Sequence, residues 1–194
     1  MVTAILVSST NDPLRVAGSD GMDHLEYDLI VTNAFPEPVT ITQIEVLGAD
    51  GRRLQLVEGD QISATTQPVT GLGPIEAIPA SGTVGVVMDL IVPPDEVHEQ
   101  INHRITYGLS VDSEIASLVG SFVIKGPLLA VDPRPAIVIA PPLRGSGWVT
   151  FSGVGDLPSL HRSIRLPIDG HSYVKSETFA IDWIQATDGR VFRG

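Results

Sequence analysis

Three side chains in the last part of the sequence are of the types that bind zinc: His161, His171 and Asp182. Imidazole nitrogens and carboxylate oxygens are common zinc ligands, and a catalytic zinc site combines three protein ligands with an open fourth position. These three candidates lie within 22 residues of the sequence, which is enough for one ion. We therefore predict them as candidate metal ligands, with zinc as the candidate cofactor. An Asp169-Gly170 hairpin signature directly precedes His171, however, and would direct that side chain into solvent.

Asp182 also has an interpretation that needs no metal. It lies in the apolar stretch FAIDW, and a carboxylate inside an apolar strand must be paired, hydrogen-bonded or metal-bound, because an isolated buried charge is costly. Backbone amides, Arg162 or Arg165 could each supply the partner. From the residues alone, a structural ion pair is favoured over a zinc site, and no cofactor is required.

A second histidine pair occurs in the stretch HEQINH, residues 98–103. A zinc-protease helix needs His at positions i and i+4, so that both imidazoles share one face and the glutamate acts as general base. Here the histidines are five positions apart, which on a helix places them about 140° from each other. We predict a solvated connection instead, with His103 at the start of the next strand.

Composition restricts the class of protein. The chain of 194 residues has a formal net charge of −11 and no cysteine. Nucleic-acid binding requires clustered Lys and Arg, so the acidic balance argues against a nucleic-acid partner. The sparse basic residues Arg134, Arg144, Arg162 and Arg165 are predicted to form a solvated face. No apolar run is long enough to span a membrane, and the start MVTAILVSST has no positive flank, so it predicts a strand and not a signal peptide.

The elements that must position these side chains are predicted to be strands. Short β-branched segments with alternating apolar and polar residues are bounded by Pro, Gly, Asn or Asp, which is typical of strands and turns. These segments are 26–33, 39–48, 83–92, 103–112 and 116–126. The best helix candidate is 93–102, which begins with two prolines. Such a series predicts an all-β fold, and its strand number favours an immunoglobulin-like β-sandwich.

The domain organisation is predicted from a change in composition. Residues 1–125 contain the predicted sandwich, and residues 126–147 contain five prolines among short apolar runs, which indicates an extended linker. Residues 148–194 form a strand-rich tail, with turns predicted at Asp169-Gly170 and Asp188-Gly189. This tail is short for an independent core, so it either packs on the sandwich or opens a longer domain.

Several ordered stretches resemble a known class of bacterial proteins. They are HLEYDLIVTNAFPEPVTITQIEVLGADGRRL, PAIVIAPPLRGSGWVTFSG, HRSIRLPIDG and TFAIDWIQATDGR. Together they resemble proteins in which a β-sandwich precedes a lysostaphin-like (LytM-type) zinc metallopeptidase module. The resemblance spans nearly the whole chain. It implies an extracytoplasmic location, periplasmic or secreted, and peptidoglycan peptides as the substrate class.

The resemblance also assigns a role to Asp182. In that family an Asp and two His hold zinc, and a further His assists the attack of water on a peptide bond. Asp182 resembles the family's Asp, but the position four residues earlier, where the family has a zinc-binding His, is Thr178. The His-x-His that the family carries further on occurs nowhere in this sequence. Too few ligands would remain to lower the pKa of a bound water, so hydrolysis by this chain alone is not expected.

Three functions are therefore compatible with the sequence. The first is a non-catalytic accessory or binding region of a cell-envelope metallopeptidase-like protein, whose partner is a cell-wall component or another protein. The second is a zinc endopeptidase that uses His161, His171 and Asp182 in an unusual arrangement. The third is a scaffold protein that self-associates, because exposed strand edges readily add partner strands.

Overall fold

The computed structural model describes residues 1–70, 73–152, 160–170 and 172–191. The chain divides into two compact units, Met1–Ala136 and Ile137–Gly194, which are described separately and are called unit 1 and unit 2. Both units are built mainly from antiparallel strands with little helix, so the predicted all-β class is confirmed. The immunoglobulin-like detail stays a prediction.

The described part of unit 1 contains ten strands, one short α-helix and one 3-10 turn. The strands are β1 (Ile5–Ser9), β2 (Leu14–Ala17), β3 (Asp23–Asn33), β4 (Thr40–Gly48), β5 (Arg53–Glu58), β6 (Thr66–Pro68), β7 (Thr83–Val92), β8 (Gln100–Gly108), β9 (Val123–Lys125) and β10 (Leu129–Ala130). The helix α1 is Asp60–Thr65, and the 3-10 turn is Ala116–Leu118.

The ten strands form two antiparallel sheets. In the first sheet the order is β1-β3-β7-β6, and β2 pairs with the other end of the same edge of β3. In the second sheet the order is β10-β8-β4-β5, and β9 also pairs with β8. Consecutive strands thus fall in groups, with β1–β3 and β6–β7 in the first sheet and β4–β5 and β8–β10 in the second, so the pairings of β3 with β7 and of β4 with β8 are long-range.

Strand alternation explains where the core of unit 1 lies. In β7, Val84, Val86, Met88, Leu90 and Val92 occupy alternate positions and all are buried in one hydrophobic cluster. Because successive strand side chains point to opposite faces, the residues between them face outward. β3 follows the same rule with its own apolar set, so each strand has one core face and one outer face.

Two tyrosines make polar links inside this core. The hydroxyl of Tyr27 on β3 lies 2.8 Å from Nε2 of His103 on β8, so one hydrogen bond joins the two sheets. The hydroxyl of Tyr107 accepts from the amide of Ala4 at 2.9 Å and donates to the carbonyl of Ser121 at 2.7 Å. Buried polar groups are tolerated when they are hydrogen-bonded in this way.

The longest predicted strands are present in the structure. Segments 26–33, 39–48 and 83–92 correspond to β3, β4 and β7, and 103–112 overlaps β8. The fifth segment, 116–126, is instead the 3-10 turn followed by the short β9.

The predicted helix over 93–102 is wrong. The amide of Glu96 donates to the carbonyl of Pro93 at 2.9 Å, which closes a single turn, and Gln100 already begins β8. There, Ile101 pairs with Gly48 of β4 on one side and with Leu129 of β10 on the other. Pairing with two strands outweighs the weak helical preference of this segment.

The segment predicted as a linker contributes to unit 1. Leu129 is buried in the core, and the amide of Val131 donates to the carbonyl of Glu99 at 2.9 Å. The amide of Asp132 donates to the carbonyl of Pro13, also at 2.9 Å. Residues 137–139, by contrast, are strongly exposed apolar residues.

Unit 2 consists of two small two-stranded sheets and one short helix in its described part. Its elements are β11 (Trp148–Ser152), α2 (Leu160–Ser163), β12 (Leu166–Ile168), β13 (Ser172–Val174) and β14 (Asp182–Gln185). β11 pairs with β14, and β12 pairs with β13. Asp169 and Gly170 both have positive φ, at 52° and 68°, and lie in the connection between the antiparallel strands β12 and β13. The predicted hairpin is therefore confirmed.

Candidate functional site

One imidazole and two carboxylates meet in unit 2. His161 is on α2, Glu177 lies in the turn between β13 and β14, and Asp182 is the first residue of β14. The amide of Ala180 donates to the carbonyl of Glu177 at 2.9 Å and closes the turn. A short helix, a closed turn and a strand end thus form a cluster that we call the His161 site.

The two carboxylates bind opposite nitrogens of the ring. Nδ1 of His161 lies 2.6 Å from Oε2 of Glu177, and Nε2 lies 2.8 Å from Oδ2 of Asp182. Ionised carboxylates only accept hydrogen bonds, so both ring nitrogens must donate and the imidazole is protonated in this arrangement. The geometry is that of a cation held between two anions.

Hydrogen bonds set the charge state of the ring. The bond with Asp182 and then the bond with Glu177 raise the pKa of His161 above its ordinary value of 6.5, against a smaller opposing effect of burial. The side chain of His161 is 14% exposed, whereas the side chain of Asp182 is 52% exposed. Solvent therefore reaches the outer carboxylate and screens part of this interaction.

The same two groups could hold a metal after loss of the proton. Two ligands on one tetrahedral zinc ion lie roughly 3.3 Å apart when each bond is about 2.0 Å. The separation of 2.8 Å between Nε2 of His161 and Oδ2 of Asp182 is close to that value. Glu177 lies on the far nitrogen, where a second carboxylate orients a metal-bound histidine in many sites.

The predicted ligands are therefore only partly placed by the structure. His161 and Asp182 lie together, whereas His171 lies outside the described residues. Asp182 is not a buried acid as its apolar neighbours predicted, because β14 belongs to a two-stranded sheet that buries little. Phe179 and Ile181 are themselves exposed.

Glu177 was not among the predicted site residues. Its distance to His161 depends on the closed turn and not on a regular spacing, so no periodic pattern reveals it. The one signal in the sequence is its position beside Thr178, where the resemblance places an imidazole. Glu177, one residue before Thr178, instead contacts the imidazole of His161.

The predicted solvated face of arginines is wrong for two of its members. Arg134 and Arg144 are exposed, but Arg162 and Arg165 are buried. Burial, with a further contribution from the charge of Arg165, lowers the pKa of Arg162 to about 10. Nη1 of Arg165 donates to the carbonyl of Ser163 at 3.0 Å. Two arginines, one and four positions after His161 in the sequence, are thus buried and not on the surface.

The two histidines of the stretch 98–103 have different environments. Nε2 of His98 lies 2.9 Å from Oε1 of Glu96, in the connection before β8. His103 is the fourth residue of β8, not its first, and is buried. Its contacts are with Tyr27 and the carbonyl of Pro127, so it is part of the core.

Unit 1 contains a second cluster of metal-ligating groups. Among the described residues, His24, Glu26 and Asp89 each offer one ligand atom such that these atoms lie within 4.8 Å of one another. We call this cluster the His24 site. It joins residues that are far apart in the sequence, and no spacing in the sequence predicted it.

The comparisons with known proteins do not assign the chain to a family. No family model matches it, and no curated protein is significantly similar to it.

The described residues contain no helix that is both long enough and apolar enough to cross a membrane.

Proposed function

We propose that the chain is a non-catalytic accessory or binding region of a bacterial cell-envelope metallopeptidase-like protein. The observation that carries this proposal is the His161 site, where Glu177 and Asp182 occupy both ring nitrogens. A histidine held in this way offers no lone pair to a zinc ion or to a proton of water. The absence of His-x-His from the sequence supports the same conclusion.

The architecture of unit 1 supports a binding role. Two antiparallel sheets, with the orders β1-β3-β7-β6 and β10-β8-β4-β5, support the proposal of an immunoglobulin-like sandwich. Such sandwiches commonly present loops and strand edges to partners. The net charge of −11 favours a partner without a large excess of negative charge. We take peptidoglycan as the partner because the resemblance points to the cell wall.

A sedimentation assay with purified peptidoglycan tests this function. The chain should be retained on the insoluble polymer and should release no soluble peptide fragments, with or without added zinc. An unrelated acidic β-sandwich protein of similar size provides the control for adventitious retention. Retention no greater than that of the control would contradict the proposal, and so would fragment release that a chelator abolishes.

Zinc-dependent peptide hydrolysis is the second candidate function, and the short contact between His161 and Asp182 favours it. The two atoms are 2.8 Å apart, so loss of one proton would create two adjacent ligands. This function requires about one zinc per chain and hydrolysis that both depend on Asp182. Asp182→Asn keeps the shape of the side chain and removes the charged ligand, whereas Glu177→Gln changes only the carboxylate on Nδ1 of His161. Unchanged zinc content in Asp182→Asn would exclude this function.

A further inference from the structure

The His24 site lies on the outer face of the first sheet in unit 1. Leu25 and Tyr27 of β3 point into the core. His24 and Glu26 occupy the alternate positions of the same strand and therefore share the opposite face. In the pairing of β3 with β7, Glu26 is directly opposite Asp89. Two neighbouring strands thus place one imidazole and two carboxylates side by side.

The distances within the site suit a metal ion. Nδ1 of His24 lies 3.0 Å and 2.9 Å from the two carboxylate oxygens of Asp89. A ligand oxygen of Glu26 lies within 4.8 Å of the ligand atoms of both residues. Ligands of one tetrahedral zinc ion are separated by roughly 3.3 Å, so small side-chain shifts would bring all three into contact with it.

Electrostatics also favours a cation between these strands. Like charges directly opposite each other on paired strands are destabilising. Glu26 and Asp89 are such a pair, and Glu26 is buried while the side chain of Asp89 is 27% exposed. A divalent cation bound by both carboxylates would convert this repulsion into shared coordination.

A fourth residue occupies the position of an outer partner. Oδ1 of Asp20 lies 3.4 Å from Nε2 of His24, on the side of the ring away from Asp89. A metal-bound histidine characteristically donates its other N–H to a carboxylate, which fixes the tautomer and the orientation of the ring. The same oxygen of Asp20 accepts from the amide of Met22 at 3.0 Å, so its position is itself fixed.

The loop between β2 and β3 leaves room for this arrangement only because residue 18 is glycine. A Cβ at Gly18 would lie 2.6 Å from Nε2 of His24 and 2.4 Å from Oδ1 of Asp20, which is too close for real atoms. The amide of Gly18 donates to the carbonyl of Met22 at 2.7 Å and closes the loop. The backbone therefore approaches the imidazole and its outer carboxylate directly.

From this geometry we propose that unit 1 binds a divalent transition-metal ion, such as zinc, through Nδ1 of His24 and the carboxylates of Glu26 and Asp89, with Asp20 as the outer partner of the histidine. The imidazole favours a transition metal over calcium or magnesium, which prefer oxygen ligands alone. Three protein ligands leave one position for water or for a group of a partner molecule. The ion would fasten β3 to β7 at the end next to the loop that carries Asp20.

The proposal is independent of the proposed function, and the test keeps the two apart. All proteins in the test carry Asp182→Asn, which removes the charged ligand of the His161 site. Zinc is added to the full chain after metal removal, and calorimetry gives the number of ions and their affinity. We expect about one zinc per chain, and an affinity that falls by more than about tenfold in His24→Gln or Asp89→Asn.

His98→Gln is the matched control. The imidazole of His98 also lies 2.9 Å from a carboxylate, that of Glu96, but this pair is joined by Arg52 instead of further acids. Zinc binding should therefore be unchanged in this variant. Circular dichroism in chelator shows whether each variant keeps its strands before zinc is added.

Nitrogen NMR of histidine-labelled protein tests the same ligands without a change at His24. Zinc should shift the Nδ1 signal of His24 and leave its Nε2 protonated. No zinc bound in the Asp182→Asn protein would overturn the proposal. Zinc bound equally by His24→Gln, or coordinated through Nε2 of His24, would overturn it as well.

Discussion

The hydroxyl of Tyr27 lies 2.8 Å from Nε2 of His103, and this contact crosses the core between the two sheets of unit 1. The other ring nitrogen, Nδ1, lies 3.0 Å from the carbonyl of Pro127. A carbonyl can only accept, so Nδ1 donates and the tautomer is fixed. Nε2 is then the acceptor, and Tyr27 donates to it. The core therefore requires a neutral imidazole.

We predict that unit 1 loses stability as the pH falls because of His103. Burial lowers the pKa of His103 below its ordinary value of 6.5, so the unfolded chain binds more protons between the folded pKa and 6.5. The contribution is complete above about pH 6.5 and is lost progressively below it. Urea unfolding from pH 7.5 downward, with NMR titration of the ring, measures both effects. Titration of His103 at or above 6.5 would contradict the prediction.

The opposite pH dependence is expected for His161. Its pKa is raised by Asp182 and by Glu177, so its stabilising contribution is present below pH 6.5 and is lost as the pH rises through the folded pKa. In the presence of chelator, NMR should show His161 titrating above 6.5. Asp182→Asn should lower that pKa more than Glu177→Gln does. Equal pKa values in the wild type and both variants would show that the ion triad does not form in solution.

Replacement of Tyr107 by Phe should destabilise unit 1. The change removes the hydroxyl that joins Ala4 to Ser121 and leaves the amide of Ala4 without its acceptor. A buried group left unsatisfied costs about 1–3 kcal/mol, and we expect a loss in this range. Urea unfolding followed by circular dichroism measures it, with Tyr173→Phe in unit 2 as the matched control. A change in Tyr107→Phe as small as that of the control would contradict the prediction.

Asn33 allows a nearly isosteric substitution, Asn33→Asp, that replaces a hydrogen-bond donor by a charged acceptor. Its amide nitrogen lies 2.7 Å from the carbonyl of Glu37 and 3.0 Å from the carbonyls of Ile78 and Pro79. Its oxygen accepts from the amide of Phe35 at 2.8 Å. The side chain therefore joins the end of β3 to two loops.

Asn33→Asp should cost more stability than Asn33→Ala. The aspartate would place a charge against three carbonyl oxygens, whereas alanine only removes the donors. We expect about 1–3 kcal/mol for alanine and more than about 3 kcal/mol for aspartate at pH 7. Asn102→Asp, on the partly exposed side of β8, is the control for a change of charge alone. A smaller loss for aspartate than for alanine would contradict this interpretation.

The sequence predicted the long central strands because their apolar core residues recur at alternate positions. In β3 the core residues are Leu25, Tyr27, Leu29 and Val31, and in β7 the pattern runs from Val84 to Val92; it can be seen without knowledge of the neighbouring strands. The short strands β6 and β10 have two or three residues each, which is too few to show a period. They exist because a longer strand is available for pairing.

For the candidate sites too, some features are visible in the sequence and others arise only from contacts in the folded chain. His161 and Asp182 could be named from their types, but the role of Glu177 required the turn that brings it to the ring. The His24 site is set by the register between β3 and β7, which joins residues 65 positions apart. Residue type is visible in a sequence, whereas register is a property of the folded sheet.

The exit segment of unit 1 has a mechanical consequence. β10 pairs with β8 of the second sheet, and two residues later the amide of Asp132 bonds to Pro13, next to β2 of the first sheet. A tension applied to the chain beyond Ala136 would therefore enter both sheets through a few hydrogen bonds at one end. Those bonds can be broken one after another. The segment would therefore detach at a lower force than the long strands of the core.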